Sequence, residues 1–126
     1  MTSPFDPSEG LIVVTARIHG PAGSNDVRLA LDTGATVTVI SREWLSLVGY
    51  DLNDATQLNV ITGSGRESAS RVVLDRIETL DMEKISLPIL AYSLPESTTV
   101  DGALGLDFFE DCRLTIDFRQ NTIDVE

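Results

Sequence analysis

The chain has 126 residues, of which 42% are hydrophobic, and this length suits one globular domain with its own core. Its 20 acidic and 9 basic residues give a formal net charge of -11. This charge argues against nucleic acid and anionic membrane partners, because both bind to basic surfaces. A single cysteine excludes an intrachain disulfide framework, and there is no signal-like N-terminus or run of about 18 apolar residues. We therefore expect a cytoplasmic protein with an N-terminal extension at residues 1–10 and one domain at 11–126.

Alternation of apolar and polar residues dominates the start of the domain. Residues 11–19 are predicted to form a half-buried strand, because every second side chain points to the same face. The apolar face consists of Ile12, Val14, Ala16 and Ile18. Turn-forming residues occupy 21–26, and the alternation resumes at Val27, so the first two strands should form a hairpin.

The rest of the chain predicts further strands and little helix. Residues 37–40 are strand-like, and the following segment predicts a short helix with Ser41 as N-cap and Gly49 as the C′ residue. A turn is expected at Asp101–Gly102, and one helical turn at 106–110. Strands are predicted at 57–61, 71–80, 85–92, 113–118 and 122–125. The fold class is therefore mostly β, with one or two short helices.

The segment RLALDTGATVTVI, residues 28–40, carries the most informative carboxylate. Asp32 follows an apolar strand-like run, is followed at once by Thr33, Gly34 and Ala35, and a second apolar run comes next. An ordinary surface turn would place its acid in water, whereas both flanks of this one have the composition of core strands. For the motif taken alone, the alternative is a plain turn with an Asx-type hydrogen bond.

Three blocks of this sequence, taken in order, resemble the retropepsin type of aspartic protease. They are the apolar run ending in Asp-Thr-Gly-Ala (29–35), the glycine-bearing hairpin at 62–65, and Ala-Leu-Gly (103–105) followed by LDFFED. The similarity is greatest to bacterial single-domain members, whose ends also resemble GLDFF and LTIDFRQNTIDV, and it extends from about residue 11 to residue 125. The resemblance implies a single-lobed, retropepsin-like closed β-barrel for 11–126, and the activity of an aspartic endopeptidase.

The resemblance also implies a catalytic role for Asp32. In such enzymes one carboxylate takes a proton from water while a second gives a proton to the scissile carbonyl, and two carboxylates at that range share one proton. Gly34 would let the backbone approach the carboxylate, and Thr33 and Ala35 would complete the active-site loop. The chain contains no second Asp-Thr-Gly or Asp-Ser-Gly, so the partner carboxylate must come from a second copy in a two-fold homodimer. By the same resemblance, residues 11–16 and 122–125 are candidates for the dimer interface.

The hairpin tip Thr62, Gly63, Ser64 and Gly65 is implied to cover the substrate, a peptide or protein. The alternative is a solvated hairpin tip, and the absence of an aromatic or large apolar residue there argues against tight closure. Neither a metal nor an organic cofactor is implied. Two other functions stay open: the same fold acting as a dimerisation or peptide-binding module with little turnover, and an unrelated β-barrel binding protein.

Overall fold

The computed structural model describes residues 2–53, 56–62 and 65–126, and only the backbone of 56–62, 66 and 67. Within these residues the chain forms ten strands, one α-helix (α1, Arg42–Leu47) and two 3-10 helices (Pro7–Glu9 and Leu106–Phe109). The strands are β1 (Thr2–Pro4), β2 (Val13–Gly20), β3 (Gly23–Leu31), β4 (Val39–Ser41), β5 (Thr56–Thr62), β6 (Gly65–Thr79), β7 (Met82–Tyr92), β8 (Gly102–Leu104), β9 (Leu114–Asp117) and β10 (Thr122–Val125).

Seven strands form the main sheet, in the order β2-β3-β8-β4-β7-β6-β5. An additional antiparallel pairing of β2 with β6, at Arg17 with Glu78, Ile18 with Ile77 and His19 with Arg76, closes six of these strands into a barrel. β5 lies outside the ring and, among the described residues, pairs with β6 alone. The prediction of a mostly β, closed-barrel fold is confirmed.

The core fills the barrel with alternate side chains of its strands. Ala16 and Ile18 of β2 and Val27 and Leu29 of β3 are fully buried, as expected when one face of each strand points inward. Ile12 belongs to the predicted apolar face but precedes β2 and is only partly buried. The predicted alternation is therefore confirmed where β2 is paired with β3.

Helix α1 begins and ends as its local sequence predicts. The Ser41 hydroxyl accepts a hydrogen bond from the backbone N–H of Trp44 at 3.5 Å, and Gly49 follows the helix with a φ of 102°. Leu45 and Val48 are buried against the barrel. Among the described residues, no helix has both the length and the apolar character that crossing a membrane requires.

A second sheet has the order β1-β10-β9 and joins the two ends of the chain. Residues 2–10, expected as an extension, contribute β1 to this sheet and the buried side chain of Phe5 to the core. β10 is the central strand, with β1 on one edge and β9 on the other, and Val125 is only 8% exposed. Within one chain both edges of β10 are therefore occupied, and the role of 122–125 at a dimer interface stays a prediction. The role of 11–16 stays a prediction.

Several predicted boundaries differ from the structure. β8 begins at Gly102, where a turn was expected, because a three-residue strand is too short to show alternation. The turn at 21–26 is narrower than predicted, since Gly20 pairs with Gly23. β6 begins at Gly65 rather than residue 71.

Tyr50 extends the contact between the paired strands β2 and β6. Its hydroxyl donates a hydrogen bond to the carbonyl of His19 at 2.8 Å and accepts one from the backbone N–H of Asp75 at 2.8 Å. The pairing of β2 with β6 ends at His19 and Arg76, so the Tyr50 hydroxyl links the two strands next to this last residue pair. Burial raises the pKa of Tyr50 above its ordinary value.

We expect Tyr50→Phe to lower the free energy of unfolding by roughly 1–3 kcal/mol, because two backbone groups lose their partner. The raised pKa means that Tyr50 favours the folded state fully below about pH 10, and that this contribution is lost as the pH rises through the folded-state value. Urea unfolding between pH 7 and 11 checks both points. The wild-type stability should fall at the alkaline end more steeply than that of Tyr50→Phe, and parallel curves would contradict the assignment.

Candidate active site

The insertion of β8 between β3 and β4 positions Asp32. β8 runs parallel to β3 and antiparallel to β4, and the loop of residues 32–38 connects these two outer strands across the end of β8. The backbone N–H of Asp32 donates to the carbonyl of Leu104 at 3.0 Å, and that of Leu31 donates to Ile12 at 2.8 Å. Asp32 is therefore fixed at the end of a paired strand, with backbone contacts on both sides.

A tight turn then holds one oxygen of the Asp32 carboxylate. The backbone N–H of Gly34 donates to Oδ1 at 2.9 Å, and that of Ala35 donates to the Asp32 carbonyl at 3.2 Å. A Cβ atom at Gly34 would lie 3.2 Å from Oδ1, which is closer than most such contacts. This geometry is an Asx-type turn, and glycine permits the close approach.

The loop itself is exposed, although its flanks belong to the core. Leu29 and Ile40 are fully buried, whereas Asp32, Thr33 and Gly34 are exposed. The expectation of core-like surroundings for the acid is therefore wrong within a single chain, because the strand leaves the barrel at the half-buried Leu31. Among the described residues, no hydrogen bond reaches the Thr33 hydroxyl or Oδ2 of Asp32.

Thr38 and Asp107 hold the far end of the loop. Thr38 is fully buried, and both its backbone N–H (2.9 Å) and its hydroxyl (2.7 Å) donate to the Asp107 carboxylate. The same hydroxyl accepts a hydrogen bond from the backbone N–H of Gly105 at 3.1 Å. The segment after β8 is therefore tied to the loop that carries Asp32.

Gly105 lies where these two segments cross. A Cβ atom there would be 2.8 Å from the carbonyl carbon of Val37 and 2.9 Å from the oxygen of Ala35. Because both neighbours are backbone, no side chain fits without moving the loop. Leu106 adds one more contact, since its N–H donates to the Ala35 carbonyl at 2.8 Å.

Sequence reasoning found Asp32 and its loop but missed Thr38 and Asp107 as partners. These two residues are 69 positions apart, and only the crossing of the chain at Gly105 brings them together. The apolar block at 103–105 was the one signal in the sequence that pointed to this region.

The predicted substrate-covering tip lies at the end of the β5–β6 hairpin. Thr62 pairs with Gly65, whose φ is 114°. Gly63 and Ser64 lie outside the described residues. The role of this tip stays a prediction.

Comparisons with known proteins agree with the architecture. A family model described as aspartyl protease matches residues 14–108. Among solved structures, the chain is similar to a retropepsin-like aspartic protease from Rickettsia conorii, with a TM-score of 0.72 and 17% sequence identity, covering 98% of this chain and 86% of the other. Comparison with curated protein sequences finds no match.

The matched segment is most of the chain and includes Asp32, Thr38 and Asp107. The chain therefore belongs to the aspartyl protease family. Its fold is that of the retropepsin-like members.

We expect Asp107→Ala to lower the free energy of unfolding by about 2–3 kcal/mol, because two donors of the buried Thr38 lose a charged acceptor. Asp107→Asn should cost less, since its amide oxygen still accepts from the Thr38 N–H. Glu110→Ala is a matched control, an exposed acid beyond the same 3-10 helix. Urea unfolding of the three variants gives the comparison, and equal losses at 107 and 110 would contradict the assigned role.

Proposed function

We propose that the protein is an aspartic endopeptidase that acts as a homodimer, with Asp32 of each chain forming the catalytic pair. The observation that carries this proposal is the geometry of Asp32 in a chain of this family. Its carboxylate is exposed, is fixed by a turn at the end of a paired strand, and has one oxygen held by a backbone N–H.

The chemistry requires two carboxylates in different protonation states. The ionised Asp32 takes a proton from water as the water oxygen attacks the scissile carbonyl carbon, and the protonated Asp32 of the second chain gives its proton to the carbonyl oxygen. Collapse of the resulting tetrahedral intermediate breaks the carbon–nitrogen bond, and the nitrogen leaves with a proton. No metal is needed for any of these steps.

The neighbouring residues take positioning roles in this proposal. Gly34 aligns the Asp32 carboxylate through its N–H, and the Ala35 carbonyl connects the loop to Leu106. The Thr33 hydroxyl makes no hydrogen bond among the described residues and is exposed beside Asp32, so it is available to a second chain. The hairpin tip at 62–65 covers the bound peptide.

Two properties of the single chain support the proposed two-fold pairing. It carries a single Asp-Thr-Gly, and the acid of that motif lies at the surface, where a copy of the same surface can meet it. The contact should include the exposed side chain of Leu106, whose backbone is bonded to the catalytic loop.

Asp32→Asn should abolish peptide cleavage, with a loss on the order of 10³-fold or more, while leaving the fold intact. Asparagine keeps the shape of the side chain and an oxygen that accepts from the Gly34 N–H. Its amide, however, can neither take a proton from water nor give one to the carbonyl oxygen. Asp111→Asn is a matched control: Asp111 is exposed, and its φ of 65° is one that asparagine tolerates. A mixed peptide library, incubated with each variant and analysed by mass spectrometry, measures the loss. Cleavage by Asp32→Asn at the wild-type rate would contradict the proposal, and a folded wild type that cuts nothing would favour the peptide-binding module.

Specific activity should fall on dilution, because one chain supplies only half of the catalytic pair. Leu106→Glu should shift this fall to a higher protein concentration, since it places a charge on the proposed contact. Leu47→Glu is the control, because Leu47 is 63% exposed on α1 while Leu106 is 45% exposed. Sedimentation run alongside activity measurements decides the point, and a fully active monomer would refute the dimer.

A further inference from the structure

A groove runs along the outer face of the β2–β3 hairpin. It consists of two adjoining cavities with volumes of about 500 and 440 Å3, and Thr15 lines both of them. The neighbours of Thr15 in β2, Val14 and Ala16, are buried in the core, so the Thr15 side chain points to the opposite, exposed face. We refer to this surface as the outer groove, and it includes none of residues 32–38.

Two segments border the outer groove and are attached to its floor. The β6–β7 turn borders the larger cavity, where the Thr79 hydroxyl donates a hydrogen bond to the Thr15 carbonyl at 2.8 Å. Residues 4–9 border the smaller cavity, where Glu9 forms an ion pair with Arg28 of β3. The outer groove is therefore formed before any partner arrives, which lowers the entropic cost of binding.

The lining of the outer groove is acidic. Six of its side chains are carboxylates and two are arginines, which gives a formal net charge of -4. The six acids are Asp6, Glu9, Asp26, Glu78, Asp81 and Glu83. Both arginines are paired with acids of the lining, Arg17 with Asp26 at 2.9 Å and Arg28 with Glu9. The lining therefore keeps an excess of negative charge that its own cations do not balance.

Two of the six acids have no cation beside them within the described part of the chain. Arg76, which lies outside the lining, pairs with Glu78 at 3.0 Å and with Glu83 at 3.7 Å. Among the described residues, no ion pair involves Asp6 or Asp81. Asp6 lines the smaller cavity and Asp81 lines the larger one, so each cavity presents a carboxylate to a cation from outside.

Apolar side chains lie next to these two acids. Leu80 and Met82 flank Asp81 in the β6–β7 turn, and both are partly buried against the core. Phe5 precedes Asp6 and is buried. Lysine and arginine combine a charged end with an aliphatic stem that packs on apolar surface. The outer groove therefore provides a contact for both parts of such a side chain.

We propose that the outer groove binds an extended, basic segment of a protein partner, with a lysine or arginine side chain in each of the two cavities. The floor from Val13 to Arg17 covers four steps of extended strand, roughly 13 Å, so a segment of about four to six residues spans both cavities. This inference does not rest on the proposed endopeptidase function, because the loop that carries Asp32 takes no part in it.

Two other occupants fit this surface less well. A second copy of the chain, related by a two-fold axis, would place the same acids against each other. That contact would nevertheless agree with the expectation for residues 11–16, so the test has to distinguish it. A metal ion fits poorly as well, because among the described residues no three His, Cys, Asp or Glu side chains are grouped so that they could hold one.

The test measures peptide binding by fluorescence anisotropy. The probes are a labelled hexapeptide in which lysine and alanine alternate, and the same peptide with glutamate in place of lysine. Wild type should bind the lysine peptide, lose affinity as salt is added, and bind no glutamate peptide. The double variant Asp6→Asn with Asp81→Asn should weaken binding roughly 5-fold or more, because two carboxylates lose their charge and keep their shape. The assay is repeated on Asp32→Asn, so that cleavage of the probe cannot be mistaken for a loss of binding.

The double variant Asp51→Asn with Asp111→Asn is the matched control, because it removes the same charge outside the groove. Asp51 accepts a hydrogen bond from the backbone N–H two residues further on, as Asp6 does. Asp111 has a φ of 65°, close to the 58° of Asp81. This control should leave the affinity nearly unchanged. Equal weakening by both double variants would show that the peptide responds only to the net charge of the protein, and would overturn the inference.

A steric variant tests the position of the peptide without changing any charge. Thr15→Trp fills the middle of the outer groove and should weaken binding, whereas Thr115→Trp, at an exposed position of β9, should not. If Thr15→Trp does not fold, the two double variants decide the point.

Three results would overturn the inference while leaving the endopeptidase proposal in place. One is a wild type that does not bind the lysine peptide. Another is a folded Thr15→Trp variant that binds it as tightly as wild type. The third is a change in the sedimentation of Asp6→Asn with Asp81→Asn while peptide binding is unchanged, which would make the outer groove a contact between two copies of the chain.

Discussion

The structure of the candidate site depends on one constraint, the passage of the chain beneath the loop of residues 32–38. β8 enters between β3 and β4, and at Gly105 the chain passes so close to the loop backbone that only a hydrogen atom fits. The Thr38–Asp107 hydrogen bonds then lock the crossing from the other side. Asp32 is thereby held by long-range backbone contacts rather than by its own turn alone, and a small rearrangement at Gly105 would move the carboxylate.

Asp32 lies at the surface, whereas the two ends of the chain pair with each other. β10 lies between β1 and β9, so the ends satisfy each other within one chain and leave no free edge on β10. The three-stranded sheet therefore forms within one chain, with β1 and β9 as its outer strands. At the loop of residues 32–38, by contrast, Asp32 and Thr33 are exposed beside the exposed side chain of Leu106, and in the proposed dimer a second copy would meet these groups. The proposed pairing of the two Asp32 side chains needs a contact at the loop, while the role of residues 122–125 stays a prediction.

The sequence predicts well those features of the fold that depend on contacts between residues close together in the chain. The alternation along β2 and β3 and the caps of α1 involve neighbours in the chain, and these were predicted well. β8 has only three residues, and its place between β3 and β4 is decided by pairing with strands that are distant in sequence. Asp107 is one of many acids in the chain, and although the apolar block at 103–105 pointed to this region, nothing in the sequence indicated that this carboxylate binds Thr38. Its role is visible only once the fold brings Thr38 next to it.

The same short segment, residues 102–105, contains two positions at which only glycine fits. Gly102 and Gly105 are each closed to larger residues by backbone atoms of the loop or of β4, so their substitution would displace the strand that carries Asp32. Ala103, between them, is half-buried and is the register partner of Ala30 in β3. The position of Asp32 therefore depends on two glycines that are distant from it in sequence.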